Sequence, residues 1–144
     1  MTDSDELVGY WEDRLFAYGS MEATDLVLLA DGTGWGLWAN SGGGQDLVLF
    51  DWRRLGPDRI GIAEKLMASG TWDEKRPGQV ICDEPPQPAD ERQEFRYELS
   101  IQVPPLGDAP VRTLTLDKAF LFARRFGLAR RDVTESECPK VVTA

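Results

Sequence analysis

The chain has 144 residues, 25 of them acidic and 16 basic, so its net charge is −9, and it contains no histidine. A surface this acidic repels phosphate backbones and anionic bilayers, so nucleic acid is excluded as a partner and membrane insertion is not expected. The missing imidazole removes Ser-His and Cys-His nucleophiles, histidine metal ligation and the commonest general base. Proton chemistry would then fall to Asp, Glu, Tyr, Lys or Cys.

This length fits one domain with a core of its own. The five Trp and six Phe suggest an interior wide enough for large rings. Residues 1–6 are acidic and show no basic n-region followed by an apolar run, and no stretch approaches the ~20 apolar residues of a membrane span. A cytoplasmic location is the expectation. Cys82 and Cys138 have no CxxC neighbour, so neither a metal nor any other cofactor is called for. Two reduced thiols and a single disulfide both stay open.

In chain order, an apolar-rich segment at 7–16 ends near Tyr18-Gly19. A strand at 26–29 runs through Asp31-Gly32, a strong hairpin signal, into a strand at 33–39. Gly42-Gly43-Gly44 precedes 47–52, and Gly56-Pro57-Asp58 turns the chain into 59–67. The triple glycine lacks the Gly-Lys-Ser/Thr ending of a phosphate loop, and a hairpin tip explains it. Residues 95–103 alternate strictly, with Phe95, Tyr97, Leu99, Ile101 and Val103 on one face, the period a half-buried strand needs. A strand at 111–116 follows. Residues 119–126 read as the last strand, with Phe120, Phe122, Arg124 and Phe126 sharing a face; a helix over 117–131 is the competing reading.

Segment 73–92, with Pro77, Pro85, Pro86 and Pro88, interrupts the series, because proline removes a ladder donor. It reads as a lid or a surface excursion, with Val80-Ile81-Cys82 placed to pin it down. The tail 132–144 is polar and expected to wrap the outside or fray. About eight strands with short connections and no βαβ spacing predict an all-β domain, a single antiparallel up-and-down barrel.

Leu7-Val8-Gly9-Tyr10-Trp11 resembles the Gly-x-Trp signature that opens the first strand of the lipocalin and calycin group. Leu28-Leu29-Ala30-Asp31-Gly32-Thr33-Gly34 is similar to the second hairpin of its short bacterial members, and Phe50-Asp51-Trp52 with Ile60 to their fourth and fifth strands. The resemblance covers residues 7–126 apart from the proline-rich segment. It implies a calycin-like barrel closed at one end by Gly9, Trp11 and a basic residue of the last strand. Arg124 is the counterpart expected for Trp11, with Arg125 as the alternative register.

Alternation then places Trp38, Phe50, Trp52, Ile60, Ile62, Tyr97, Leu99, Phe120 and Phe122 toward the lumen, with Glu64 and Arg54 continuing two of these faces. Trp38, Phe50, Trp52, Ile62, Glu64, Tyr97, Leu99 and Phe122 are the candidate ligand-binding residues. The leading expectation is a binding protein for a small hydrophobic or aromatic molecule held inside the barrel. Two others stand beside it: an interaction module with a filled barrel, and an isomerase or cyclase using carboxylates such as Glu64. A homodimer or another protein partner stays open.

Overall fold

The computed structural model describes residues 5–16 and 21–143. Ten strands lie in the order β1 (Gly9–Glu12), β2 (Glu22–Leu28), β3 (Thr33–Asn40), β4 (Gly44–Gly56), β5 (Arg59–Thr71), β6 (Gln79–Cys82), β7 (Gln87–Pro88), β8 (Arg92–Gln102), β9 (Val111–Phe120) and β10 (Ala123–Arg130); β11 (Lys140–Thr143) ends the series after a short 3-10 turn at Glu135–Glu137. Consecutive antiparallel pairing runs from β1 to β5. The β5 residues Arg59 to Ala63 then pair with β8, from Arg59↔Arg96 to Ala63↔Arg92. β8, β9 and β10 follow, and Trp11↔Leu128 joins β10 back to β1. The result is the closed eight-stranded up-and-down barrel the sequence predicts, with β6, β7 and β11 outside the ring.

Local chemistry explains several joints. Gly32 takes φ +88° at the Asp31-Gly32 turn, and the Asp31 carboxylate accepts from both the amide and the hydroxyl of Thr33. The first strand is shorter than the 7–16 expected. At Asp13 the chain leaves the ladder, and the Asp13 carboxylate accepts the Thr24 amide at 2.8 Å. The turn expected at Tyr18-Gly19 lies outside the described residues.

Inside the ring, Trp11, Leu26, Leu28, Phe50, Ile60, Ile62, Phe95, Leu114, Phe120 and Phe126 form one buried cluster. Phe120 meets Phe50 and Phe95 edge-on, at centroid distances of 5.8 and 6.1 Å. Room for these rings comes from glycines of β3, Gly36 across the lumen from Phe120 and Gly34 beside Phe50 on the neighbouring strand. A Cβ on Gly36 would lie 2.5 Å from the Phe120 ring, and one on Gly34 would lie 2.7 Å from the Phe50 ring. Since β3 and β9 stand four places apart in a ring of eight, Phe120 spans the full width of the lumen.

A second cluster lies on the outer face. Val27, Trp35, Leu47 and Ala68 point away from the lumen and are covered by Val80 and Cys82 of β6 and by Val133, with Cys138 and Val141 packed alongside. The tail reaches them because β11 pairs in parallel with β6, Lys140↔Gln79 through Thr143↔Cys82. Both cysteines are free thiols.

The strand expected over 119–126 is a correction. Phe120 ends β9 and Ala123 begins β10, so Leu121 and Phe122 form the two-residue turn of a hairpin, with φ +47° and +73°. Such turns ordinarily carry Asn, Asp or Gly, so this pair gives no turn signal in the sequence. The competing helix over 117–131 is absent for the same reason: the segment is divided between two strands.

Gly36→Ala is expected to destabilise by about 1–3 kcal/mol, because its methyl must displace Phe120 and Leu121 from a filled interior. Gly42→Ala, where an added Cβ meets only Asn40 at 3.5 Å, should stay within about 0.5 kcal/mol. Urea unfolding of the two variants measures the difference.

Candidate functional site

One end of the barrel is sealed by the segment before β1. Leu7 is fully buried beside Trp11, whose indole donates to the Leu7 carbonyl at 2.9 Å. Gly9 has φ +155°, and a Cβ there would strike Leu128 at 2.7 Å, so the first residue of β1 tolerates only glycine. Arg131, immediately after β10, donates to the carbonyls of Glu6 and Val8 at 2.6 and 2.9 Å. Arg54 pairs with Asp5 at 2.6 Å and donates to the Tyr97 hydroxyl, while that hydroxyl donates to the Pro57 carbonyl at 3.0 Å.

Arg124, expected as the counterpart of Trp11, is placed elsewhere. It lies four residues along β10 from Leu128, the partner of Trp11, and its guanidinium donates to the Leu116 carbonyl at 3.2 Å. The irregularity between Ala123 and Arg125 shifts the register assumed for that face. The arginine that ties down the Trp11 end comes from just beyond the strand.

The β9–β10 turn folds over the opposite end. Leu121 lies against Gly36, and its carbonyl accepts the Thr24 hydroxyl at 2.6 Å. Phe122 meets Trp38 at 5.6 Å between centroids yet is 70% exposed. The Trp38 indole nitrogen is buried and has no hydrogen-bond partner among the described residues. Farther around the rim, Glu64 stands opposite Phe50 and accepts from Gln93 at 3.2 Å. Burial, and then the nearby Glu91 carboxylate, raise the Glu64 pKa above its ordinary value. Lys118 places its ammonium 5.2 Å above the Phe95 ring.

The expected ligand-binding residues are therefore split. Trp38, Phe122 and Glu64 belong to the turn-covered end, Phe50 and Ile62 fill the middle, and Trp52, Tyr97 and Leu99 lie toward the sealed end. The Trp52 indole donates to the Leu29 carbonyl at 3.0 Å, which commits it to the wall. Leu121, Thr24 and Gln93 join the turn-covered end without having been singled out. Lumen-facing alternation carried back from Leu26 to Thr24 and from Phe95 to Gln93 is the signal for those two, and nothing in the sequence flags Leu121.

A cleft of about 360 Å³ lies on the outer face of β4, β5 and β8, where Gly61 and Ala63 leave a floor between Asp51, Arg53, Arg92 and Glu94. Its carboxylates are engaged by Lys65 at 2.9 Å and Arg59 at 3.4 Å. Among the described residues no three Cys, Asp or Glu side chains are grouped to hold a metal ion.

A polar cluster sits on the outer face of β1 and β2. Asp25, its side chain 5% exposed, accepts the Tyr10 hydroxyl at 2.6 Å and approaches Arg14 at 3.5 Å. Burial raises the Asp25 pKa despite these partners, burial also raises that of Asp13, and burial and Asp25 together push the Tyr10 phenol up.

With the folded pKa values of Asp13, Asp25 and Glu64 above their unfolded ones, the folded state binds more protons just above the ordinary carboxylate range. The associated stability is complete below the unfolded pKa and is lost as pH rises through the folded one. The melting temperature should therefore be higher near about pH 5 than near about pH 8. Asp25→Asn should flatten that slope, whereas Asp25→Ala, which strands the Tyr10 hydroxyl, should cost about 1–3 kcal/mol. Arg131→Ala at the sealed end should cost about 1–2 kcal/mol and Arg124→Ala about 0.5, because two carbonyls lose a charged donor in the first case and one in the second. Chemical denaturation checks both.

No protein-family model, curated protein or solved structure matches the chain.

Proposed function

We propose that this chain is a non-enzymatic binding module that engages a protein partner through the aromatic turn at Leu121-Phe122. The observation that carries the reading is Phe122 itself: 70% exposed, at φ +73°, on a hairpin turn with no glycine or asparagine. Consecutive residues in this region cost on the order of 1–3 kcal/mol each, and such outliers cluster at ligand clamps and switches. Exposed aromatic rings are also the side chains that anchor protein interfaces.

Several features support a partner outside rather than a ligand inside. Rings from opposing walls already meet at the barrel axis. At the same end, Met21 is 74% exposed, and Trp72 is held by donation to the Asn40 carbonyl at 2.8 Å. These side chains widen the apolar rim around Trp38 and Phe122. A chain of net charge −9 favours a partner with basic flanks around an apolar anchor. The free thiols Cys82 and Cys138 agree with a reducing, cytoplasmic setting.

A second reading is favoured by the unpartnered Trp38 indole N–H. In it the barrel is lipocalin-like in use as well as in shape, and a small aromatic molecule with an acceptor atom sits between Trp38 and Phe122 after the turn moves aside.

Phe122→Asn separates binding from folding, because Asn tolerates positive φ. Relief of about 1–3 kcal/mol of strain offsets the roughly 0.5–1.5 kcal/mol lost with the Trp38 ring contact, so the melting temperature should not fall. Affinity capture from cell extract should yield a protein retained by the wild-type chain and lost by Phe122→Asn. Equal retention by both would overturn the proposal. Capture of nothing, with tryptophan quenching by small aromatic compounds, would establish the second reading in its place.

A further inference from the structure

The cleft on the outer face of β4, β5 and β8 is bare along its middle strand. Across the three strands Arg53, Gly61 and Glu94 form one row, and Asp51, Ala63 and Arg92 form the next. Both rows point outward, because Trp52 and Ile62 between them belong to the core. Long charged side chains therefore stand on two walls, with only a hydrogen and a methyl on the floor. Gly61 has no positive φ, and a Cβ there would first meet the flexible tip of Leu55, at 3.1 Å. The backbone of β5 does not itself demand a glycine at this place. Glycine inside a strand often marks a position that a ligand approaches closely.

The charges around this floor divide into engaged and free. Asp51 is held by Lys65 and Glu94 by Arg59, two β5 cations beyond the ends of the floor. Arg53 and Arg92 have no ion pair, hydrogen bond or ring partner among the described residues. They stand at diagonally opposite corners. With strands about 4.8 Å apart and a rise of about 3.4 Å per residue, their Cα atoms lie about 12 Å apart across the floor. On a chain of net charge −9, the cleft is thus a local excess of positive charge whose two guanidiniums are left to a ligand.

We propose that this cleft binds a small, flat molecule with acidic groups at two opposite ends. Each guanidinium grips one acid through its planar fork, and the body of the ligand lies on Gly61 and Ala63. Asp51 and Glu94 hold the other two corners, so they turn the long axis of the ligand onto the Arg53–Arg92 diagonal. A lone phosphate is matched less well. Phosphate sites draw on backbone amides, and those of β5 are committed to the ladders with β4 and β8. The 360 Å³ of the cleft falls within the roughly 300–1,000 Å³ of small-molecule sites. The cleft is separate from the Phe122 turn, and its occupancy does not depend on the function proposed there.

Terephthalate, with carboxylates at opposite ends of one ring, is the probe. Calorimetric titration of the full chain at low salt should show a single saturable site that weakens as ionic strength rises. Arg53→Gln and Arg92→Gln should each weaken binding about tenfold or more. Neither should change the melting temperature, because both side chains are exposed and unpartnered. Ala63→Ile suits a strand and fills the floor while sparing both guanidiniums, so it should abolish binding with strand content unchanged. Phthalate, whose carboxylates are adjacent, and inorganic phosphate should bind about tenfold more weakly or less. Phe122→Asn should bind terephthalate as the wild type does. Absence of saturable binding, or binding indifferent to both arginine substitutions or to Ala63→Ile, overturns the inference. Phosphate or phthalate held as tightly as terephthalate overturns it too, since the site would then read charge without shape.

Discussion

The contact on which the rest of the barrel depends is that between the Phe120 ring and Gly36. Few side chains are long enough to cross an eight-stranded ring, and one that does so must meet a wall with no side chain. Gly36 provides that wall, and Gly34 makes room for Phe50 of the adjacent β4. Once Phe120 crosses the lumen, Phe50 and Phe95 pack edge-on around it. The backbone that follows Phe120 is then already on the far side, which delivers Leu121 to Thr24 and Phe122 to Trp38. One ring therefore both fills the core and draws the hairpin turn over the end. A smaller residue at 120 would leave a cavity and remove the reason for the turn to lie where it does.

The outer cluster extends this logic to the far side of the sheet. A barrel strand ordinarily alternates between lumen and water, but parts of β2, β3 and β4 are buried on both faces, with Val27, Trp35 and Leu47 covered by β6 and the tail. Such strands lose their period of two and read as continuous apolar runs. Leu26-Val27-Leu28-Leu29 and Leu47-Val48-Leu49-Phe50 are of this kind. By contrast 95–103 alternates cleanly, because its outer face meets solvent. The sequence pattern thus distinguishes strands that need a second layer from those that do not. Part of the cover is signalled by the apolar run Val80-Ile81-Cys82, whereas Val133, isolated in a polar stretch, gives no sign that the tail contributes.

Fold class and most strand positions were legible because they rest on local signals: the Asp31-Gly32 turn, the glycines at 42–44 and the alternation of 95–103. The candidate site was legible only in part. Trp38, Glu64 and Phe122 do lie at one end, but periodicity cannot assign a depth along the barrel axis, and Trp52, Tyr97 and Leu99 proved to belong to the other. The same limitation misplaced Arg124. Side-chain parity carried on from Phe120 through Phe122 assumes an uninterrupted strand, and the turn resets it. Arg131, outside the strand and free of that parity, closes the end instead.

The two strained residues of that turn invite different explanations, and magnitudes separate them. Each carries a backbone cost of about 1–3 kcal/mol. Leu121 recovers it locally. Its side chain packs on the core, contributing up to about 1.5–3 kcal/mol if fully buried, and its carbonyl gains a buried hydrogen bond from Thr24 worth about 0.5–1.5 kcal/mol. Phe122 has no such return. Most of its ring is in water, and its contact with Trp38 is worth about 0.5–1.5 kcal/mol at best. Asparagine or glycine at 122 would relieve the strain and spare solvent an exposed ring, and stability alone would favour either. A local choice that opposes the global fold without structural compensation is the mark of a residue kept for what it does. The sealed end, where Gly9, Trp11 and Arg131 all agree with the fold, carries no such conflict.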